Sequence, residues 1–221
     1  MNNNTTTTPI SFEEDKEKQE LKIPEKIPKL RFTEYSGEWN EIKLEDLIIK
    51  GKAGGTPKSS NKLYYDGNIP FLSINDMTKQ GKYIKKTEKL ITKEGLENSS
   101  AWIVPKNSLL YSMYASVGLV GINKKELTTS QAIYSMILND EKTTLEYMYY
   151  YLVYFKKNIH KYIETGTQGN INAKTLKKFK IKIPSKEEQE KIGDFLSEID
   201  KKISLMIRNP LFSVVLQVME F

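Results

Sequence analysis

Hydrophobic and polar positions change rhythm several times along this chain. Short runs rich in Ile, Val, Tyr and Trp, bounded by Gly, Pro, Asn and Lys, predict strands at Ile69–Ile74, Trp102–Val104, Ser108–Met113, Leu119–Ile122 and Ala132–Leu138. Glu41–Ile49 reads as a short helix and Thr92–Leu96 as a brief helical turn. In Thr143–Ile163 the rhythm becomes helical: Leu145, Met148, Tyr149, Leu152, Ile159 and Tyr162 recur at spacings that share one face. Thr143 with Glu146 has the spacing of a capping box, each side chain satisfying a free backbone amide. Tyr147, Tyr149, Tyr150, Tyr151 and Tyr154 invite a base-stacking role, but their rhythm fits the cladding of a helix packed on a sheet better. A further short helix is expected at Ala173–Phe179.

The last clear element is Ser185–Met206. Pro184 precedes it, and Ser185 with Glu188 repeats the capping-box spacing. Ile192, Leu196, Ile199, Ile203 and Met206 then alternate steps of four and three, the period of a coiled-coil seam. A seam of so few turns is not stable alone and needs a second helix, from this chain or from a partner.

These elements divide the chain into four parts. Residues 1–28 form a polar tail closed by Pro24 and Pro28, 29–184 a binding domain, 185–208 a spacer or dimerisation helix, and 209–221 an apolar tail. The fold class is α+β: a twisted β-sheet domain with packed helices, followed by a long α-helix that starts a coiled coil.

Composition narrows the chemistry. Among 221 residues there is no Cys and a single His, which removes thiolate nucleophiles and disulfides and leaves no metal site to expect. The missing cysteines suit a reducing cytoplasm, the expected location. No apolar run approaches the roughly 20 residues that span a bilayer. His160 has no obvious carboxylate partner, and G-x-S-x-G is absent. Gly51-Lys52-Ala53-Gly54-Gly55-Thr56 places its Lys too early for a phosphate loop. Asn209-Pro210-Leu211-Phe212 lacks the second proline of an amino-methyltransferase motif. No catalytic residue is assigned, and no cofactor is expected in this chain.

Binding chemistry is easier to place. Lys plus Arg exceed Asp plus Glu by 34 to 28, a net charge of +6 that suits a polyanion. Two polar, basic loops stand out. The first holds Gly54, Gly55, Thr56, Lys58, Ser59, Asn61 and Lys62, with Lys52 just before it; the second holds Gln168 and Asn170. Hydroxyls, amides and ammonium groups are what phosphates and base edges accept. The second loop leads into Ala173–Phe179, whose free amides could favour an anion, and into a basic run with Lys174, Lys177 and Lys178. Surface loops and a solvated lysine face would have the same composition.

Read in order, several short blocks resemble the specificity subunit of type I restriction-modification systems. They are Ile27-Pro28-Lys29-Leu30-Arg31-Phe32, Gly37-Glu38-Trp39, Gly54-Gly55-Thr56-Pro57, Ile69-Pro70-Phe71, Leu109-Leu110-Tyr111-Ser112, Ala115-Ser116-Val117-Gly118, Thr129-Ser130-Gln131-Ala132, Gln168-Gly169-Asn170-Ile171 and Glu187-Glu188-Gln189. The resemblance implies a subunit that reads half of a two-part sequence in double-stranded DNA. It would direct methylation subunits, which use S-adenosylmethionine, and restriction subunits, which use ATP and Mg, and would not be an enzyme by itself. It adds Ser112, Tyr114 and Ser116 to the expected DNA-contacting residues. A full subunit of this kind has two recognition domains, whereas this sequence shows one and a short helix. Two copies could therefore pair through the helix as a homodimer. The competing reading is an interaction protein that binds methylation subunits without productive DNA targeting.

Overall fold

The computed structural model describes residues 27–162 and 169–207. The expected tails 1–28 and 209–221, apart from residues 27 and 28, lie outside the described residues, as does Gln168.

Among the described residues, three sheets share the domain. The strands are β1 (Asn40–Lys43), β2 (Ile48–Ala53), β3 (Tyr65–Leu72), β4 (Tyr83–Ile84), β5 (Lys89–Ile91), β6 (Leu109–Ser112), β7 (Val120–Asn123), β8 (Thr128–Thr129), β9 (Ile133–Leu138) and β10 (Lys180–Ile183). The helices are α1 (Ile74–Gln80), α2 (Lys93–Glu97), α3 (Leu145–Phe155), α4 (Ala173–Lys177) and α5 (Lys186–Ile207). The main sheet has five strands in the order β2-β9-β6-β7-β4; a second has the order β5-β3-β8; β1 and β10 form an antiparallel pair.

The inner strands β6 and β7 of the main sheet are buried on both faces, which removes the polar alternation of a half-exposed strand, whereas the edge strand β2 is largely open to solvent. All four residues of β6 are fully buried. Successive side chains point to opposite faces. Leu109 and Tyr111 join the larger core with Met148, Leu152, Phe155, Leu176 and Phe179. Leu110 joins the smaller one with Leu72, Met77, Val104 and Ile133. Gly121 of β7 faces the smaller core, where a Cβ would stand 3.2 Å from Ile84.

The expected strands at 108–113, 119–122 and 132–138 form as β6, β7 and β9, and the helical turn at Thr92 forms as α2 with Thr92 as its cap. Other expectations are corrected. Glu41–Ile49 is not a helix but β1, a 3-10 turn at Leu44–Leu47, and the start of β2. A 3-10 turn puts residues three apart on one side, so Leu44 and Leu47, both fully buried, imitate a helical rhythm. Trp102–Val104 makes only an isolated bridge from Val104 to Leu127, because Pro105 has no amide to extend it. Ile69–Ile74 is divided: its first part lies in β3, and Ser73 caps α1.

The Tyr-rich helix keeps its packing role but starts one residue later. Thr144 is the cap, accepting from the Tyr147 amide, while the Thr143 hydroxyl donates to Gln189 Oε1 at 2.8 Å. The α-helix ends at Phe155 and continues as a 3-10 turn over Lys156–Lys161. Its tyrosines fasten β10: Tyr147 Oη donates to the Lys182 carbonyl at 2.6 Å, and the Lys182 amide donates to Tyr151 Oη at 2.9 Å. Those backbone groups point away from β1 and would otherwise be orphans.

Ser185 accepts from the Glu188 amide, as its capping role requires. The Glu188 carboxylate does not return the bond. It is 1% exposed and takes a two-pronged pair from Arg31, at 2.8 and 2.7 Å, plus the Trp39 indole at 3.3 Å. This buried pair ties the first described segment to the start of α5.

Candidate nucleic-acid interface

Strand direction collects the polar loops at one end of the main sheet. Ala53 at the end of β2 is opposite Tyr134 near the start of β9; Ser112 at the end of β6 is opposite Ile133; Val120 at the start of β7 is opposite Tyr111. The loops after Ala53, before Ile133 and between Ser112 and Val120 therefore emerge together. Hydrogen bonds join them side by side: the Gly54 amide to the Ile133 carbonyl, the Met113 amide to the Ala132 carbonyl, and the Ile171 amide to the Met113 carbonyl. Thr56 donates its hydroxyl to Gln131.

Within this end the expected residues divide by exposure. Thr56, Lys58, Ser59, Lys62, Tyr114, Ser116 and Lys174 are exposed, and Asn61 and Asn170 are half-buried. Gly54 and Gly55 are buried. Their amides donate to Ile133 and Thr129, and an added Cβ would fall 2.0 Å from the Thr129 carbonyl oxygen or 2.4 Å from the Ala101 amide. They are glycines so that the chain can squeeze between neighbouring backbones, and they position the Thr56–Lys62 excursion without facing outward. Ser112 is also fully buried. Its hydroxyl donates to the Ser116 carbonyl at 2.7 Å and accepts from the Leu119 amide at 2.8 Å.

Those two bonds hold an unusual turn. Ala115 and Ser116 both have positive φ, at 41° and 55°. For residues with a Cβ this costs roughly 1–2 kcal/mol each. Such strain persists only where the surroundings over-determine it, and it concentrates at sites that present a side chain. Here it lifts Tyr114 and Ser116 to the surface beside Asn170. Gly118, at φ 85°, backs this turn against Ile159 and Lys156.

Charge completes the site. Lys52, Lys58, Lys62, Lys174, Lys177 and Lys178 form no ion pair among the described residues, as is also true of lysines elsewhere such as Lys106, Lys125 and Lys202, whereas Lys43, Lys79, Lys82, Lys180, Lys191 and Lys201 are paired. Lys177 and Lys178 lie farther from the loops, next to Phe179, whose carbonyl accepts from Leu44 near the opposite end of the sheet. The basic run therefore extends from the loop end along one side of the domain. The expected anion site at the start of α4 is corrected: the helix has five residues, and the Asn172 side chain already accepts from the Thr175 amide at 2.9 Å.

Gln131, exposed and paired with Thr56, was not among the expected contact residues. Its neighbours Thr129 and Ser130 were visible as a motif, but their join to the Gly54–Thr56 turn depends on folding. His160 is exposed, with ring Nδ1 3.0 Å from the Lys157 carbonyl. No group of three potential metal ligands occurs among the described residues. Nor is any described helix long and apolar enough to cross a membrane.

The helix end differs in chemistry. Successive α-helical residues turn by about 100°. Gln189, Gly193, Ser197 and Asp200 thus share one face of α5, and they meet α3: Gln189 bonds Thr143 and Thr144, Ser197 bonds Glu146, and Asp200 accepts from Tyr150 Oη at 2.6 Å. A Cβ on Gly193 would lie 2.9 Å from that of Glu146, so the helices cross closely there. The apolar seam lies about 100° round the helix from this face. Ile192 packs on the larger core. Leu196 and Ile199 are half-buried, while Ile203 is 48% and Met206 56% exposed.

Similarity to known proteins agrees with this architecture. Residues 36–210 match the family described as type I restriction modification DNA specificity domain. The chain is 33% identical over 183 residues to the type I restriction enzyme MjaIX specificity subunit of Methanocaldococcus jannaschii, a match covering 80% of this chain and 40% of that protein. It is 35% identical over 156 residues to the HindI specificity subunit of Haemophilus influenzae, covering 67% and 32%. In structure it resembles the HsdS subunit from Thermoanaerobacter tengcongensis, with a TM-score of 0.60 at 19% identity over 77% of this chain and 39% of the other. That likeness bears on the fold alone. The matches span about two-fifths or less of the length of these relatives. With a family match across most of its length, the chain belongs to the type I restriction modification DNA specificity domain family.

Proposed function

We propose that this chain reads one half of a bipartite sequence in duplex DNA and lends that specificity to methylation and restriction subunits, with no catalysis of its own. The observation that carries the reading is the convergence of three sheet-end loops and the 169–172 segment on one surface flanked by lysines that have no ionic partner among the described residues. Lys52, Lys58, Lys62, Lys174, Lys177 and Lys178 neutralise phosphates. Thr56, Ser59, Asn61, Tyr114, Ser116, Asn170 and Gln131 are within the surface that faces base edges. Methyl transfer with S-adenosylmethionine, and cleavage with ATP and Mg, belong to the partner subunits, and the complex acts in the cytoplasm.

The seam of α5 supplies the second half. Two copies pair through the part of the seam that stays accessible, Ile203 and Met206 with the half-buried Leu196 and Ile199 beside them, while Ile192 stays on the domain's own core, so that each domain reads one half-site. The direct test is selection of binders from randomised duplexes at several salt concentrations. An enriched half-site with steep salt dependence supports the reading. Absence of any enriched sequence overturns it.

A further inference from the structure

Between β4, α3 and α5 lies a polar cluster centred on Lys82. Lys82 stands just before β4, and its carbonyl accepts from the Ile122 amide, which anchors it to the main sheet. Its ammonium group, on a side chain only 11% exposed, meets Glu146 of α3 at 2.5 Å. It also donates to Tyr150 Oη of α3 at 2.8 Å and to Ser197 Oγ of α5 at 3.0 Å. The faces of Tyr83, Tyr149 and Tyr150 surround it at 5.1, 5.1 and 4.2 Å. Glu146 accepts further bonds from Tyr83 at 3.1 Å and Ser197 at 3.2 Å, and Tyr150 donates to Asp200. One cation thus joins the sheet, the packed helix and the spacer helix.

Its position along α5 matters. After Asp200 every residue of the helix to Ile207 is exposed. The cluster is therefore the last hold that the domain has on the helix. The face of α5 that meets α3, Gln189–Gly193–Ser197–Asp200, is small and polar, while Ile192 and Phe195 make apolar contacts on other sides of the helix. Apolar faces can slide and repack at little cost, whereas hydrogen bonds tolerate little misalignment. A small error of angle has large consequences: tilting a helix of 22 residues, about 33 Å, by about 10° moves its tip about 6 Å, close to two base-pair steps of about 3.4 Å.

We infer that Lys82, with Glu146, Tyr150, Ser197 and Asp200, is an orientation clasp that sets the angle at which α5 leaves the recognition domain. Lys82 is a positioning residue: it touches no DNA and fixes where the second half-site can lie. The consequence for half-site spacing rests on the proposed DNA reading; the clasp itself does not.

The experiment exploits the absence of cysteine from the chain. Spin labels at Ile49→Cys on β2 and Leu205→Cys on α5, both exposed positions, report the domain-to-helix distance in the full-length protein. The unaltered clasp gives one narrow distribution. Lys82→Met at least doubles its width or shifts its centre, and Lys82→Arg largely restores it. Circular dichroism separates this from unfolding. If Lys82→Met does not fold, Tyr150→Phe with Ser197→Ala opens the same clasp from the helix side. An unchanged distribution in a folded clasp variant overturns the inference. In cells carrying the partner subunits, methylation mapping should then show the same half-site bases with a relaxed or altered spacer. A widened distance distribution with unaltered spacer overturns the spacing role. Loss of all sequence preference in the unmutated protein counts against DNA reading and leaves the clasp standing.

Discussion

The loop end and the helix end of this domain treat charge in opposite ways. At the loop end, Lys52, Lys58, Lys62 and Lys174 project outward without ionic partners among the described residues. At the helix end, Arg31 is paired with Glu188, Lys82 with Glu146 and Lys191 with Glu34. Glycines differ as well. Gly54 and Gly55 let a loop pass between backbones, while Gly193 lets two helices approach. The contrast teaches that the same residue types can be left available for an outside partner, as the proposed DNA reading requires, or spent on internal assembly where a partner is supplied.

The comparison breaks most readily at the loop end. Replacing Lys52, Lys58, Lys62, Lys174, Lys177 and Lys178 by Gln should lower the slope of log K against log salt by about 0.9 for each phosphate left without its lysine. Affinity should collapse while the melting temperature stays nearly constant. Titrations between low and high salt check this, and an unaltered slope removes these lysines from the interface.

The counterpart at the helix end is Glu188→Ala. It strands a mostly buried guanidinium and should destabilise the fold by about 3–5 kcal/mol. Chemical denaturation measures the loss. A change below about 1 kcal/mol would show that Arg31 relaxes into water and that the pair does not tether the N-terminal segment.

A smaller effect is expected from Ser112→Ala. Losing the hydroxyl that holds the strained turn should cost about 1–2 kcal/mol and reduce base discrimination more than total affinity. Equal loss for cognate and random duplexes would deny the turn a reading role. The smallest stability change, within about 0.5 kcal/mol, belongs to Ile203→Asp, because a half-exposed position gives up little packing. Self-association should nonetheless weaken strongly when Ile199→Asp is added, as sedimentation would reveal. An unchanged oligomer in the double variant rejects the seam.

How much of this was legible beforehand varied by region. Strands β6, β7 and β9 were readable because dense apolar runs between turn residues have few alternatives. The 41–49 region was misread because Leu44 and Leu47 repeat at the spacing of either a helix or a 3-10 turn, and neighbouring strands decide between them. Thr143 was expected to cap the Tyr-rich helix; Gln189, 46 positions later, accepts its hydroxyl instead, and the cap falls to Thr144. Gly54, Gly55 and Ser112 were expected as contact residues, but the sequence did not show that they are buried supports. Only cross-chain distances show which atoms would collide with a side chain.

The sequence by itself determined the class of fold, the basic loops and the apolar period of α5, each of which depends on local composition or on a period set by backbone geometry. The family was legible there only as a resemblance, carried by ordered blocks of residues. The tertiary structure alone decided which loops meet, which loop residues face outward, and which face of α5 meets the domain. Those depend on strand direction and on contacts between residues far apart in the chain. The seam shows the division most clearly: its period was written in five apolar residues, but that α3 takes the polar face beside it, and leaves Ile203 and Met206 exposed, follows only from the close crossing at Gly193 and the bonds of Lys82.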